Sequence, residues 1–288
     1  MNEAYNNLTV VLISHKSKNK VINFIKNLSK NFRIIIIDNS NDKEINNEIK
    51  KINGNIKLIL SKNDGYGCAI NLARKFIKTE YFFVFNPDIR NVTDKFLIDF
   101  YKSANQFTKK YGALGPRFTN VKEKSHKQSD VNIKYANIKS ISGAAMFFKT
   151  SIFDKNNGFD ENFFLYFEET DYCWRSTING FGIYQLNYLK VEHDIGSSVE
   201  IFDDEEKIKL KELCLWHFIW SKYYLSTKIN GHFKSKIFFF PIIIKILLRI
   251  FIYNLINQKD KKKKYLIRFD GLINSIKKKK SFKRIEDF

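Results

Sequence analysis

The sequence is poor in the residues that mark disulfide-rich, zinc-binding or disordered proteins. Of its 288 residues, only 3 are cysteine and 3 are proline. Cys68, Cys173 and Cys214 lie far apart, so they lack the close spacing of a structural zinc site and cannot all form disulfides. A hydrophobic content of 44% excludes a disordered chain. We therefore expect a folded cytoplasmic protein, because the N-terminus also lacks the basic and apolar regions of a secretory signal.

Acidic residues are scarce relative to basic ones. The chain has 30 Asp and Glu against 50 Lys and Arg, which gives a formal net charge of +20. That charge suggests either nucleic acid or an anionic membrane surface as a partner. A nucleic-acid-binding protein is expected to interleave aromatic and basic residues, whereas the basic excess here lies beside an apolar C-terminal segment. We expect the membrane surface and no nucleic acid, with a nucleic-acid-binding protein as the weaker alternative.

The first half of the sequence alternates between apolar, β-branched segments and segments with helical periodicity. The predicted strands are residues 8–15, 32–38, 55–61 and 81–86. Continuous apolar strands separated by helices indicate a mostly parallel central sheet flanked by helices. The predicted fold class is therefore α/β, with a large domain over residues 1–205 and a helical, basic C-terminal extension over residues 206–288.

Each predicted strand is followed by residues that could meet a ligand. They are Ser14, Asp38, the pair Asn63 and Gly65, and the tripeptide Asn86-Pro87-Asp88. Parallel strands bring their carboxyl ends to one edge, where ligands bind. Two carboxylates and a glycine loop at a helix start suit a nucleotide diphosphate with its divalent cation. A structural alternative remains, in which these residues cap the helices that follow.

The tripeptide Asn86-Pro87-Asp88 has a physical reason to end its strand. Pro87 has no N–H to donate and restricts Asn86 to extended conformations, so the strand stops there. Asp88 is then expected to point away from the strand end, where its carboxylate is available as a ligand.

The glycines of the segment GYGCAIN do not fit a dinucleotide-binding fingerprint. That fingerprint requires a third glycine and follows the first strand, with an acidic residue about 20 positions later. Here Ile70 occupies the third glycine position, and Asp38 precedes the glycines. We therefore disfavour a nicotinamide cofactor.

A second cluster of polar residues lies in FDENFFLYFEETDYCWR, residues 159–175. Glu168, Asp171 and Arg175 have the spacing of one helix face, and Asp171 with Arg175 forms an i,i+4 pair. These residues alone allow a purely structural interpretation. The acidic pair Glu168-Glu169 beside an aromatic run also allows an acid–base role.

The sequence resembles family 2 glycosyltransferases of the GT-A fold, above all the rhamnosyltransferase and galactofuranosyltransferase-like branch of bacterial surface polysaccharide synthesis. The resemblance covers about residues 8–200. Its segments are VVLISHK, IIIIDNS, NDGYGCAIN, FFVFNPDI, SGAAMFFK, GFDENFFLYFEETDYCWR and VEHDIGSSV, in the family's order.

The resemblance implies a role for each candidate residue. Glu169 would be the catalytic base with Glu168 beside it, and Asp88 with His193 would hold Mg²⁺ or Mn²⁺. The remaining candidates would contact or shape the donor pocket; they are Ser14, Asp38, Asn63, Gly65, Asn71, Asn86, Asp171 and Arg175. His193 could equally be a structural histidine at a strand end.

The implied activity is inverting transfer of a sugar from a nucleotide-diphosphate donor, such as dTDP-rhamnose or a UDP-sugar, to a hydroxyl of a glycan or lipid-linked acceptor. A sugar nucleotidyltransferase is the alternative, because it would share the nucleotide pocket and the metal. The sequence does not determine the oligomeric state.

The C-terminal region differs in character from the rest. Residues 238–256 are apolar, but the stretch from Pro241 to Ile256 has only 16 residues, about 24 Å of helix, and Lys245 and Arg249 lie within it. Residues 259–288 contain 12 Lys and Arg against 4 Asp and Glu. We expect a helix that lies on an anionic membrane at the inner face of the plasma membrane.

Overall fold

The computed structural model describes residues 3–52, 54–121 and 128–288. The chain forms two compact units. The first comprises Met1–Asp160 with Glu169–Glu200, and the second comprises Glu161–Glu168 with Ile201–Phe288.

The first unit is an α/β structure, as predicted. Its strands are β1 (Leu8–Ser14), β2 (Arg33–Asp38), β3 (Asn55–Leu60), β4 (Tyr81–Phe85), β5 (Ile89–Arg90), β6 (Tyr111–Phe118), β7 (Tyr135–Asn137), β8 (Ala145–Lys149) and β9 (Gly182–His193). Its helices are α1 (Glu3–Asn7), α2 (Lys18–Lys26), α3 (Lys43–Lys50), α4 (Tyr66–Arg74), α5 (Asp94–Asn105), α6 (Thr150–Lys155) and α7 (Glu168–Ile178). The first residue of α7, Glu168, is also the last residue of the segment Glu161–Glu168 that belongs to the second unit.

The strands form one sheet in the order β3-β2-β1-β4-β8-β6-β9-β5, and β7 also pairs with β9. The four predicted strands, β1 to β4, pair in parallel. In the other half of the sheet β8 is antiparallel to both β4 and β6, while β6 and β9 are parallel. The parallel half therefore brings the carboxyl ends of β1, β2, β3 and β4 to one edge, where Ser14 lies opposite Asp38.

The apolar character of the strands follows from burial on both faces of the sheet. Along β4, Phe83 and Phe85 pack into one hydrophobic cluster, and Phe82 and Val84 pack into the other. Alternate side chains of a strand point to opposite faces, so a strand covered on both faces needs apolar residues at every position. This rigid, two-sided core holds the strand ends in place.

The second unit is helical and contains α8 (Asp204–Asn230), α9 (His232–Leu255), α10 (Lys259–Ile276) and a 3₁₀ turn (Ile285–Asp287). Asp203 caps α8 by accepting a hydrogen bond from the N–H of Glu206 at 2.7 Å. Gly271 lets α10 approach α8 closely, since a Cβ there would lie 2.7 Å from the carbonyl oxygen of Trp216. Among the described residues, no helix combines the length and the apolarity that a membrane span requires.

Candidate active site

Asp38 organises the loop at the end of β2. Its side chain is buried and accepts hydrogen bonds from the hydroxyl of Ser14 at 2.9 Å, the hydroxyl of Ser40 at 2.8 and 2.9 Å, and the N–H of Asp42 at 3.0 Å. Asp42 in turn accepts from the N–H of Glu44 as the cap of α3. The structure thus joins the predicted residues Ser14 and Asp38, and the carboxylate fixes the path of the loop from β2 into α3.

The glycine loop lies between β3 and α4. Gly65 immediately precedes α4 and has a φ of 116°, in a region that glycine adopts without steric cost. Tyr66 follows and donates a hydrogen bond from its hydroxyl to the carbonyl oxygen of Gly143 at 2.6 Å. Asn63 lies in the same loop and is partly buried. The loop therefore leads from β3 directly into the N-terminus of α4, which is the positive end of the helix dipole.

The tripeptide at 86–88 forms a tight turn after β4. The N–H of Asn86 donates to the carbonyl oxygen of Ala144 at 2.9 Å, and the N–H of Ile89 donates to the carbonyl oxygen of Asn86 at 3.2 Å. Asp88 is 4% exposed, and neither of its carboxylate oxygens has a hydrogen-bond partner among the described residues. A buried carboxylate normally accepts several hydrogen bonds, so this one is suited to a cation.

His193 lies beside Asp88. Its Nε2 is 3.4 Å from Oδ2 of Asp88, because β5 pairs with β9 and sets Ile89 opposite His193. Asn120 holds the backbone of His193 with two hydrogen bonds: its side-chain oxygen accepts from the His193 N–H at 2.8 Å, and its amide donates to the His193 carbonyl at 3.1 Å. Sequence reasoning missed Asn120, since nothing in its local sequence distinguishes it from any other turn asparagine.

Glu169 approaches the same neighbourhood from α7. A Cβ built on Gly143 would lie 3.9 Å from both Cβ and Cγ of Glu169 and 3.6 Å from the ring of Tyr66. The next residue along the chain, Ala144, accepts the hydrogen bond from Asn86. The segment at 143–144 therefore connects the predicted base, the glycine loop and the strand end that carries Asp88. Tyr66 and Gly143 are site residues that the sequence analysis did not single out.

Glu168 is buried and begins α7, as the last residue of the segment that belongs to the second unit. Tyr166 and Phe167, just before it, have φ values of 67° and 68°. Non-glycine residues pay on the order of 1 kcal/mol or more for this left-handed conformation. The chain thus accepts backbone strain directly before its pair of glutamates.

Asn71, Asp171 and Arg175 form a different group. The side chain of Asn71 donates to the carbonyl oxygen of Phe159 at 2.9 Å and accepts from its N–H at 3.0 Å. Arg175 donates to Asp171 at 2.8 Å and to the carbonyl oxygens of Asn156 and Gly158. These contacts brace α4 and α7 against the turn at 156–159. The structure brings these three residues together through that turn, and their predicted contact with a nucleotide stays a prediction.

Asp88 and His193, after the end of β4 and at the end of β9, supply only part of the ligand set of a divalent cation. Within the described residues no group of three or more His, Cys, Asp or Glu could hold a metal ion. Asp88 and His193 supply one oxygen and one nitrogen ligand. Mg²⁺ and Mn²⁺ commonly use one or two protein ligands together with phosphate oxygens of the substrate, so two suffice when a diphosphate completes the shell.

Solved glycosyltransferases share this fold. PcManGT from Pyrobaculum calidifontis, a mannosyltransferase solved with GDP-Man and Mn²⁺, has a TM-score of 0.60 at 9% identity over 95% of this chain and 88% of that one. Residues 1–349 of S. aureus TarS, solved with UDP-GlcNAc, give a TM-score of 0.56 at 14% identity over 94% of this chain and 90% of that one.

GalNAc-T7, solved with UDP, GalNAc and Mn²⁺, gives a TM-score of 0.51 at 13% identity over 65% of this chain, which spans only 43% of that protein. At such identities a likeness establishes the fold alone. The predicted GT-A fold, with its C-terminal helices, is confirmed.

The family follows from the sequence match. No curated protein sequence matches the chain. The family model described as Glycosyl transferase family 2 matches residues 9–156, about half of the chain. This range includes Ser14, Asp38, Gly65 and Asp88, and it ends before Glu169 and His193. The chain therefore belongs to glycosyl transferase family 2.

Proposed function

We propose that the protein transfers a sugar, with inversion at the anomeric carbon, from a nucleotide-diphosphate donor to a hydroxyl group of an acceptor. The observation that carries the proposal is the buried carboxylate of Asp88, which has no hydrogen-bond partner among the described residues and faces His193 at the edge where the parallel strands end. Family membership and the fold make a nucleotide-sugar donor the natural ligand of that edge.

The donor nucleotide would lie along the ends of β1, β2 and β3. Ser14 and Asp38 fix the loop that receives the base and ribose, while Asn63 and Gly65 line the approach of the diphosphate to the N-terminus of α4. Strands in a sheet are about 4.8 Å apart, so the ends of β2 and β4 lie about 10 Å from each other across β1. That separation suits a nucleotide whose base lies near Asp38 and whose diphosphate reaches Asp88.

Asp88 and His193 would hold a divalent cation, Mg²⁺ or Mn²⁺, with Asn86 in the place of the first acid of the family's D-x-D motif. The bound cation supplies positive charge where the leaving diphosphate gains negative charge. Pro87 and the pairing of β5 with β9 hold both ligands on rigid backbone, so no reorganisation is needed when that charge develops.

Glu169 would act as the base. An acceptor oxygen gives its proton to the Glu169 carboxylate and bonds to the anomeric carbon, while the bond from that carbon to the diphosphate oxygen breaks and the nucleoside diphosphate leaves. Attack from the face opposite the leaving group inverts the anomeric configuration. Gly143 leaves space beside the Glu169 side chain, and Tyr66 holds the segment at 143–144 in place.

The acceptor and location are part of the same proposal. We propose a glycan or lipid-linked acceptor of bacterial surface polysaccharide synthesis, with dTDP-rhamnose or a UDP-sugar as the donor. The helical region at 206–288 would hold the enzyme at the cytoplasmic face of an anionic membrane, where such acceptors are anchored. The basic excess of this region supports that location.

A donor screen tests the proposal. The purified chain is incubated with dTDP-rhamnose, UDP-galactofuranose, UDP-galactose or UDP-glucose and a mixed pool of glycan acceptors, with and without Mn²⁺, and nucleoside diphosphate release is followed. We expect release from one donor, dependent on Mn²⁺ and on acceptor, with an inverted linkage in the product by NMR. Formation of pyrophosphate from a nucleoside triphosphate and a sugar 1-phosphate would instead identify a nucleotidyltransferase.

A further inference from the structure

Helix α9 of the second unit has apolar residues on two faces. One face packs into the core of its unit, where Phe239 and Ile246 are buried together with Leu272 of α10 and Tyr223 of α8. A surface helix of a globular protein needs only that one apolar face, with polar residues opposite. The second apolar face of α9 is therefore not explained by folding.

The second face is exposed and continuous. We name it the outer stripe and define it by Ile237, Phe240, Ile244, Leu248, Phe251 and Leu255, which are 55%, 61%, 43%, 55%, 61% and 67% exposed. Their spacing of three or four residues places them along one side of the helix. Large exposed apolar side chains that form one contiguous patch mark a binding surface rather than scattered surface residues.

Basic residues border the outer stripe, and acidic residues are absent from α9. Lys234, Lys236, Lys245 and Arg249 lie on the same helix and are exposed. The first turns of α10 add Lys259 and the run of lysines at 261–264. Within the described part of the chain, this unit therefore combines an apolar face with a positive border.

The charge pattern selects between two possible occupants of the outer stripe. In a symmetric dimer the same patch would face itself, so the basic border of one copy would meet the basic border of the other. An anionic lipid surface has the opposite charge and an apolar layer beneath it, and it satisfies both parts of the pattern. Lys245 and Arg249 in the middle of the helix oppose a span across the bilayer.

We propose that α9 lies in the plane of an anionic lipid surface, with the outer stripe inserted at the boundary between headgroups and acyl chains. This assignment rests on the membrane location proposed above, and it identifies the outer stripe of α9 as the surface that contacts the lipid. Lys245 and Arg249 extend from the flank of the helix to the headgroups, as long basic side chains do at such boundaries. The inner face of α9 stays packed on α8 and α10 throughout.

The test uses the full chain and vesicles of phosphatidylcholine with or without 30% phosphatidylglycerol. Phe240→Ser with Phe251→Ser removes two residues of the outer stripe. Phe202→Ser is the matched control, because Phe202 is 87% exposed in the same unit and lies outside α9. We expect the double variant to bind anionic vesicles at least tenfold more weakly in sedimentation, and the control to stay within twofold of the wild type.

A positional readout supplements the binding measurement. Phe251→Trp should be quenched by brominated acyl chains, and Phe202→Trp should not. Equal vesicle binding by the wild type and the double variant, or no quenching of Phe251→Trp, would overturn the assignment of this face. Light scattering without lipid that shows a wild-type dimer and a monomeric double variant would assign the stripe to a second copy instead.

Failure of the wider proposals gives a different result. If the wild type itself does not bind anionic vesicles, the membrane location is wrong and the assignment falls with it. Sugar transfer to a water-soluble acceptor measures the catalytic proposal separately, and we expect the double variant to keep wild-type activity there.

Discussion

Acidification should destabilise the second unit through one buried histidine. His217 on α8 is fully buried, and its ring lies 4.6 Å from the ring of Phe164. Nε2 is 2.9 Å from the carbonyl oxygen of Lys283 and Nδ1 is 2.8 Å from the hydroxyl of Ser281. A carbonyl can only accept, so Nε2 carries the proton and Nδ1 accepts from Ser281. Protonation of the ring would reverse the bond with Ser281, whose hydroxyl would then accept, and would place a positive charge in a buried site.

Burial lowers the pKa of His217 from 6.5 to about 4, and the nearby charge of Arg284 acts in the same direction. The unfolded state then binds a proton that the folded state does not, so the free energy of unfolding falls as pH decreases below about 6.5. Each unit of pKa difference between the folded and unfolded states contributes about 1.4 kcal/mol, so protonation can lower the free energy of unfolding by about 3 kcal/mol in total. About 2 kcal/mol of this is lost between pH 7 and pH 5.

The measurement is guanidinium unfolding followed by tryptophan fluorescence at pH 7, 6 and 5, since Trp216 and Trp220 lie on the same helix as His217. We expect the wild type to lose about 2 kcal/mol over this range. His217→Gln should be less stable at pH 7 and should lose much less on acidification. His232→Gln, at a half-buried position at the start of α9, is the control and should show the pH dependence of the wild type. The same loss in His217→Gln and wild type would refute the reasoning.

Other substitutions test the site and the packing. Asp88→Asn should lower the proposed sugar transfer at least about 100-fold, because it removes the anionic ligand of the proposed metal site. Glu169→Gln should lower kcat by a similar factor with little change in the KM for the donor. Asn120→Ala removes two hydrogen bonds to His193 of about 1 kcal/mol each, and should raise the Mn²⁺ concentration for half-maximal activity up to about 10-fold. Gly271→Ala should cost about 2–3 kcal/mol of stability, because its Cβ would lie 2.7 Å from a carbonyl oxygen of α8.

Controls separate these effects from misfolding. Circular dichroism should be unchanged in Asp88→Asn and Glu169→Gln, and full transfer by either variant would remove that residue from the mechanism. Unaltered Mn²⁺ dependence in Asn120→Ala would show that the hydrogen bonds to His193 do not position a metal ligand. Gly54→Ala is the control for Gly271→Ala, since its added Cβ would meet nothing nearer than 3.6 Å.

The parallel half of the sheet was predictable because its signal is local. Residues buried on both faces of a strand must be apolar, so β1, β2 and β4 could be found from the sequence within a residue or two. The half-exposed strand β3 was found as precisely, from its run of isoleucine and leucine. Polar residues directly after such strands had to lie on one edge, which placed Ser14, Asp38 and Asp88 there. The antiparallel pairing of β8 with β4 and β6 depends on contacts distant in sequence and had no comparable signal.

Only the tertiary structure decided which polar residues meet. Asn120 reaches His193 because β6 and β9 are neighbours, although 73 residues separate the two in sequence. The segment at 161–168 packs with the C-terminal helices, as in the hydrogen bond from Ser221 to the carbonyl oxygen of Leu165, which lies 56 residues away in sequence. Side-chain pairing across such distances is a property of the assembled backbone.

The sequence by itself determined the four parallel strands β1 to β4, the sheet edge that carries Asp38 and Asp88, and the basic, apolar character of the C-terminal region. The tertiary structure decided that Asp88 is buried beside His193 and that Asn71 braces a turn. It also decided which face of α9 remains exposed. The physical reason is that periodicity reports which residues are apolar and where elements end, whereas hydrogen-bond partners and exposed faces depend on how those elements pack.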